Sequence, residues 1–202
     1  NAGIRLSMTP VLIVALSFLL LRQTVNRWQG LGIGISLAGV LVIVARGEAQ
    51  ALLAWQVNAG DLWVLAAVAS WALYSVCLRW RPAALRPLPF QALTMLIGVL
   101  ILAPLYGWDL AHGHVFPLDA ATLGSILYLA LFPSILAYIF WNRAVAELGA
   151  NRSGQFLHLM PAFGALLAML FLGERLHAFH ALGIALIALG IWLATVHGRA
   201  TA

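Results

Sequence analysis

Charge is what this sequence has least of. Asp, Glu, Lys and Arg together make up 8% of its 202 residues, and none of them is a lysine. A soluble domain carries roughly a quarter charged residues. A chain this poor in charge cannot cover a water-facing surface, so the solvent for most of it is lipid. Without lysine a retinal Schiff base is impossible, which excludes a rhodopsin-like pigment. The single cysteine, Cys77, cannot close an internal disulfide. Neither an H-E-x-x-H sequence nor a Walker A loop occurs, so zinc proteolysis and ATP-driven pumping find no support. The net charge of +5 comes from eleven arginines that punctuate apolar runs. They form no basic patch with interleaved aromatics, so no nucleic-acid partner is expected.

What is abundant is apolar surface: 63% of the chain, with a mean hydropathy of +0.98. Seven runs contain no Asp, Glu, Lys or Arg: 6–21, 28–45, 62–78, 87–108, 120–142, 153–173 and 176–198. A helix crosses a bilayer with roughly 17 to 25 apolar residues. Six runs reach that length, and the first is one residue short. A closed β-barrel would instead show strands of alternating polarity, and "LALFPSILAYIF" does not alternate. The sequence predicts an all-α membrane protein with seven transmembrane helices. The first run lacks the basic start and small-residue cleavage site of a signal peptide.

Successive loops of such a protein lie on alternate sides. Arg22, Arg27, Arg79, Arg81, Arg86, Arg143, Arg152 and Arg199 fall on one side; Arg5, Arg46 and Arg175 fall on the other. Cytoplasmic loops carry the arginine excess. The loops after the first, third and fifth helices, and the C-terminus, are therefore expected in the cytoplasm, in a multi-pass protein of the cytoplasmic membrane.

A repeat appears when residues 1–45 are laid on 152–196 without a gap, an offset of 151. Pro10 meets Pro161, Gly32 and Ile33 meet Gly183 and Ile184, and Gly39 meets Gly190. "LLLRQTVNRWQGLGIGISLAG" and "LFLGERLHAFHALGIALIALG" are then two copies of one helical hairpin. "GERL" reads as the tight, wet connection between its helices. Gly173 allows the turn, and Glu174 and Arg175 anchor it among the headgroups. The copies start five helices apart, so they cross the membrane in opposite directions. Inverted repeats of this kind mark secondary transporters, whose sites lie near the midplane between the repeats. Upstream, the third, fourth and fifth helices have no counterparts, and the counterpart of Asp61 would fall about 90 residues before Asn1. The repeat thus implies a ten-helix protein of two inverted five-helix sets, of which this sequence supplies seven helices.

Residues 137–194 resemble the end of the second EamA repeat of the drug/metabolite transporter superfamily. Tyr138, Trp141-Asn142-Arg143-Ala144, Leu148-Gly149-Ala150, Pro161, Gly173-Glu174-Arg175-Leu176, Gly183 and Gly190 carry the resemblance, and "WVLAAVASWALYSVCLRW" (63–80) resembles the opening of that repeat. The first repeat departs from the pattern, with "RQTV" where the second has "GERL". The resemblance implies that residues 1–46 are the last two helices of the first EamA repeat, 47–60 an external loop and 61–198 the complete second repeat. It implies a permease that moves small metabolites or drugs by alternating access, with no enzymatic activity. The alternative is a non-transporting polytopic protein, such as an integral membrane enzyme or a lipid scramblase. The expected partners are a small-molecule substrate and membrane lipid; no cofactor is expected, and the oligomeric state is open.

Polar residues inside the helices are the candidate substrate-binding residues. By helical spacing, Trp71, Tyr74 and Ser75 share one face of the third helix, Ser134, Tyr138 and Asn142 one face of the fifth, and Gln155 and His158 one face of the sixth. Tyr74, Tyr138, Gln155 and His158 are expected at similar depth, lining one cavity with Trp71 at its floor. The structural alternative for each is an interhelical hydrogen bond. Pro10, Pro133 and Pro161 are expected to kink spanning helices. His112 and His114, in a loop with no cysteine nearby, read as a loose loop and not as metal ligands. Trp28, Trp63, Trp80, Trp108 and Trp192 read as interfacial anchors. The charge asymmetry makes one topological prediction: a phosphatase fused after Ala202 stays inactive and a fluorescent protein fused there is bright. The opposite pattern places the C-terminus outside.

Overall fold

The structure is a computed structural model that describes residues 7–48, 58–82, 84–113 and 115–196. Every regular element among them is helical. In chain order these are α1 (Thr9–Leu21), α2 (Arg27–Val44), α3 (Ala59–Trp80), α4 (Pro87–Ala111), α5 (Ala120–Leu148), α6 (Ala150–Leu172) and α7 (Ala178–Val196). All but α1 are long and apolar enough to span a membrane, and α1 is a shorter apolar helix of 13 residues. The seven apolar runs thus correspond to seven helices. The expected 47–60 loop, Arg5, His114 and Arg199 fall wholly or largely outside the described residues.

Two compact units are present. One comprises residues 1–79 and 148–202, holding α1, α2, α6, α7 and nearly all of α3; the other comprises residues 80–147, holding α4 and α5. In the first unit α2 and α7 form the central pair. Gly32 stacks on the backbone of Gly190, and Gly39 on that of Gly183. A Cβ on Gly39 would lie 2.6 Å from the Gly183 carbonyl oxygen, and one on Gly183 would lie 2.7 Å from the Gly39 carbonyl oxygen. The pairing order shows that the helices run antiparallel. Moving each residue by the 151 offset converts the Gly32–Gly190 contact into the Gly183–Gly39 contact. A pseudo-two-fold axis therefore passes between the two copies, as an inverted repeat requires. Val40 and Ile191, repeat partners of each other, lie together in the core cluster with Ile43, Ala162 and Ile187.

Local chemistry repeats at the same offset even where residue types differ. α1 ends with Arg22 and α6 with Gly173, both in the left-handed conformation, at φ 53° and 67°. The next amides, of Gln23 and Glu174, donate back to Ser17 O (3.2 Å) and Ala168 O (3.4 Å). At the following helix starts, Gln29 Oε1 accepts from the Asn26 N–H (3.3 Å) and His180 Nδ1 from the His177 N–H (3.1 Å). "RQTV" and "GERL" are thus the same turn built from different side chains. Two acids also act as caps. Asn58 and Asp61 exchange side-chain bonds at the start of α3, and Asp119 accepts from the Thr122 N–H (2.7 Å) at the start of α5. The Thr122 amide holds the Asp119 carboxyl below the usual carboxylate range.

The prolines behave differently from one another. Pro133 sits in a π-helical stretch, Ala130–Leu136. A proline cannot donate to the carbonyl four residues back, and that carbonyl, Leu129 O, accepts from Ser134 Oγ instead (2.9 Å). Pro161 follows a 3-10 turn, Phe156–His158, within α6. Pro10 corrects the expectation of a mid-helix kink. It stands in the first turn of α1, where the missing N–H needs no partner. A fourth proline, Pro104, lies within α4.

Burial is inverted relative to a soluble protein. Leu96, Val99, Leu100, Ile101, Leu102 and Leu105 on α4 are exposed, whereas Ser17, Ser36, Ser75, Gln155 and His158 are buried. Exposed apolar side chains at this density suit lipid, and buried polar ones suit helix seams or a polar path. The glycine seam gives a stability prediction. Replacing Gly39 with Leu forces backbones apart and should lower stability by at least the roughly 1–3 kcal/mol typical of overpacking, read as a lower melting temperature in detergent. Gly34, on the same helix with nothing within 4 Å of a Cβ, should accept alanine without loss. Equal melting temperatures for Gly39→Leu and the natural protein would refute the seam.

Candidate functional site

The polar centre of the first unit is His158, 1% exposed. Its Nε2 lies 3.2 Å from the carbonyl oxygen of Ser7. A carbonyl only accepts, so Nε2 carries the proton and donates to it. In the neutral ring Nδ1 is then an acceptor, and it receives the hydroxyl proton of Ser36 at 2.6 Å. Ser36 Oγ also lies 3.0 Å from its own helix carbonyl, Ile33 O. One imidazole thus ties α6 to α2 and to the start of α1. Ser7 is the repeat partner of His158, so this bond joins equivalent positions and lies on the pseudo-two-fold axis. Beside it a pocket of about 240 Å³ is lined by Ser7, His158 and five apolar residues, among them Val40, Val44 and Met160.

One turn earlier on α6, Gln155 is also 1% exposed, yet neither its Oε1 nor its Nε2 has a hydrogen-bond partner among the described residues. The hydroxyls of Ser153 and Ser17, 2% and 0% exposed, are in the same state. α1, which carries Ser17, packs on the Ala150–Gln155 turn and on α3. Gly154 makes the first packing possible, since a Cβ there would lie 2.9 Å from Ile13 Cδ1. Burying a polar group without a partner costs about 1–3 kcal/mol. Three such side chains on two packed helices suit a polar guest far better than they suit a core.

The other candidates divide between the units. On α3, the rings of Trp71 and Tyr74 lie 5.7 Å apart, and buried Ser75 donates to Trp71 O at 2.8 Å. On α5, Tyr138 is half-buried and Asn142 buried, one turn apart, in the second unit. Gln155 and His158 share one buried stretch of α6, as their spacing predicts. Ser7, Ser17, Ser36 and Ser153 were not singled out by spacing, because serines are common in spanning helices. Only the 151 offset, which pairs Ser7 with His158, carried a signal. Among the described residues no group of three or more His, Cys, Asp or Glu could hold a metal ion. His112 Nδ1 lies 2.8 Å from Trp108 O.

The imidazole bridge yields a prediction. Ser36→Ala leaves His158 Nδ1 buried without a donor and should destabilise the protein by about 1–3 kcal/mol. Thr94→Ala removes only a bond within its own helix, to Gln91 O, and should cost much less. Chemical unfolding of the two variants in mild detergent compares them; equal losses would mean that Ser36 does not serve His158.

Comparison with known proteins agrees with this architecture. The chain is 26% identical over 195 residues to the uncharacterized transporter YyaM of Bacillus subtilis, covering 96% of this chain and 64% of that protein. It is 30% identical over 176 residues to a probable terminal-alkyne amino-acid exporter of Streptantibioticus cattleyicolor, covering 86% and 56%. It is 27% identical over 190 residues to a probable amino-acid metabolite efflux pump of Salmonella typhimurium, covering 89% and 62%. The chain thus spans less than two thirds of the length of each of these relatives. One crystal structure shares the fold with a TM-score of 0.72 and 23% identity, covering 98% of this chain and 67% of that one. Residues 58–196 match the EamA-like transporter family, and the chain belongs to that family.

Proposed function

We propose that this protein moves a small polar metabolite across the cytoplasmic membrane by alternating access, with a site formed where the inverted repeats meet. The observation that carries the proposal is Gln155. It is a fully buried carboxamide with both ends unfilled among the described residues, close in sequence to an imidazole on the axis that relates the two copies. A carboxamide offers a donor and an acceptor at once, which suits a zwitterion whose ammonium and carboxylate need one of each. Two relatives are named for exporting amino acids or their metabolites, so amino-acid-like compounds are the first class to test. Trp71, Tyr74, Ser75, Tyr138, Asn142 and His158 are the further residues proposed to line the path. Binding at a pseudo-symmetric midplane supports rocking of one repeat against the other. Residues 1–46 are proposed to end the first repeat and 61–198 to form the second, with the C-terminus in the cytoplasm.

Gln155→Met tests the role of the amide directly. A structural amide would be missed by the fold, whereas an unfilled one strains it. In this proposal the variant folds at least as stably as the natural protein, while export of amino-acid-like compounds by cells expressing it falls at least tenfold. Unchanged export, or lost folding with no separate transport defect, contradicts the assignment.

A further inference from the structure

We propose that the second unit carries a binding site for the phosphate headgroup of an anionic membrane lipid. The site is a pocket of about 360 Å³ between the first turns of α4 and the last turns of α5. From α5 it takes Ile139, Asn142, Arg143, Ala146 and Glu147, spaced as one helical face; from α4 it takes Pro87, Leu88 and Gln91. Gln91, 4% exposed, forms the floor and pins the helices together by donating from Nε2 to Ile135 O at 3.0 Å. That carbonyl belongs to the π-helical stretch around Pro133. Charge sits at the rim. Arg143 Nε donates to Glu147 Oε1 at 2.7 Å, which fixes one guanidinium in place and leaves other N–H groups to donate. Arg81 also lines the pocket and has no ion-pair partner among the described residues. Two arginines against one glutamate leave the rim net positive. The N-terminal end of α4, a helix of 25 residues with no side-chain cap, adds the positive end of its dipole.

A phosphate diester suits this rim, because guanidinium forks match its oxygens. The surroundings select a lipid over a soluble anion. Leu88 at the pocket is 62% exposed and neighbouring Trp80 56% exposed, and beyond them α4 presents Leu96, Val99 and Leu100 to its surroundings. A molecule with a phosphate head and acyl chains uses both the charged rim and the apolar flank; a free phosphate uses only the rim. α4 begins and α5 ends here, so the pocket lies at a span end, at headgroup depth. The arginine asymmetry places that end at the cytoplasmic leaflet, where anionic lipids attract basic residues with about 1 kcal/mol each.

Native mass spectrometry of the detergent-purified protein, titrated with phosphatidylglycerol, phosphatidylcholine and inorganic phosphate, decides the matter. The expected result is one retained phosphatidylglycerol, held at least fivefold more tightly than phosphatidylcholine and not displaced by millimolar phosphate. Arg81→Gln should weaken it about fivefold, the equivalent of about 1 kcal/mol, and Arg81→Lys, which keeps the charge but loses the fork, should weaken it by less than Arg81→Gln. Arg27→Gln, on the same side but outside the pocket, should leave it unchanged. Equal retention of the two lipids overturns the proposal, as does an equal loss in Arg27→Gln, which would indicate diffuse surface charge. Displacement by inorganic phosphate also overturns it and identifies a soluble-anion site. Should Arg81→Gln not fold, the lipid comparison and phosphate competition on the natural protein still decide between these outcomes.

Discussion

Backbone-to-backbone contact between α2 and α7 is the constraint from which the rest of the first unit follows. Lipid offers no hydrophobic drive for helices to associate, so close packing and its dispersion energy must hold them. Four glycines, Gly32, Gly39, Gly183 and Gly190, let the two helices approach until each glycine meets the carbonyl of its opposite. Because those glycines come from two copies of one hairpin, the contact is self-complementary about a pseudo-two-fold axis. The axis then determines what else meets: Val40 with Ile191 in the core, and Ser7 with His158 in the polar centre.

The same contact explains how polar residues can be tolerated here. In hydrocarbon a bare N–H or hydroxyl costs several kcal/mol, so polar side chains collect where helices cover them. His158 fills its needs from Ser36 and Ser7, and Gln91 fills its own from the carbonyls around Pro133. Gln155, Ser17 and Ser153 are covered but find no partner among the described residues. That difference separates polar groups that bind helices together from those that do not, and it is why the proposed transport site centres on Gln155 more than on His158.

Irregular helix geometry adds a second source of polarity. Proline removes a donor from the helix ladder, and the neighbouring chain responds locally. Around Pro133 the helix widens to a π-turn, with Ser134 and Gln91 taking carbonyls. Before Pro161 it tightens into a 3-10 turn that carries His158. Both candidate pockets lie next to such a turn: His158 and Pro161 line one, and the Gln91 that line the other bonds the π-turn. Backbone irregularity at membrane depth is tolerated where it is covered by protein or faces a polar cavity.

Much of this was legible in the residues themselves. The spans follow from long uncharged runs, the turns at 22–26 and 173–177 from charge, and the inverted repeat from the 151 offset, because these signals are local or depend on comparing the chain with itself. The sequence also singled out Gln155 and His158 as a buried polar pair, since three-residue spacing puts both on one side of a helix. Only tertiary structure decided which glycines oppose which. Repeat alignment pairs Gly32 with Gly183, whereas packing pairs Gly32 with Gly190, because antiparallel copies reverse the order. Only tertiary structure revealed that Ser36 and Ser7 satisfy His158, that Gln155 is satisfied by neither, and that Pro10 opens a helix instead of bending one. Those outcomes depend on which surfaces meet across more than a hundred residues of chain, and no local periodicity encodes that meeting.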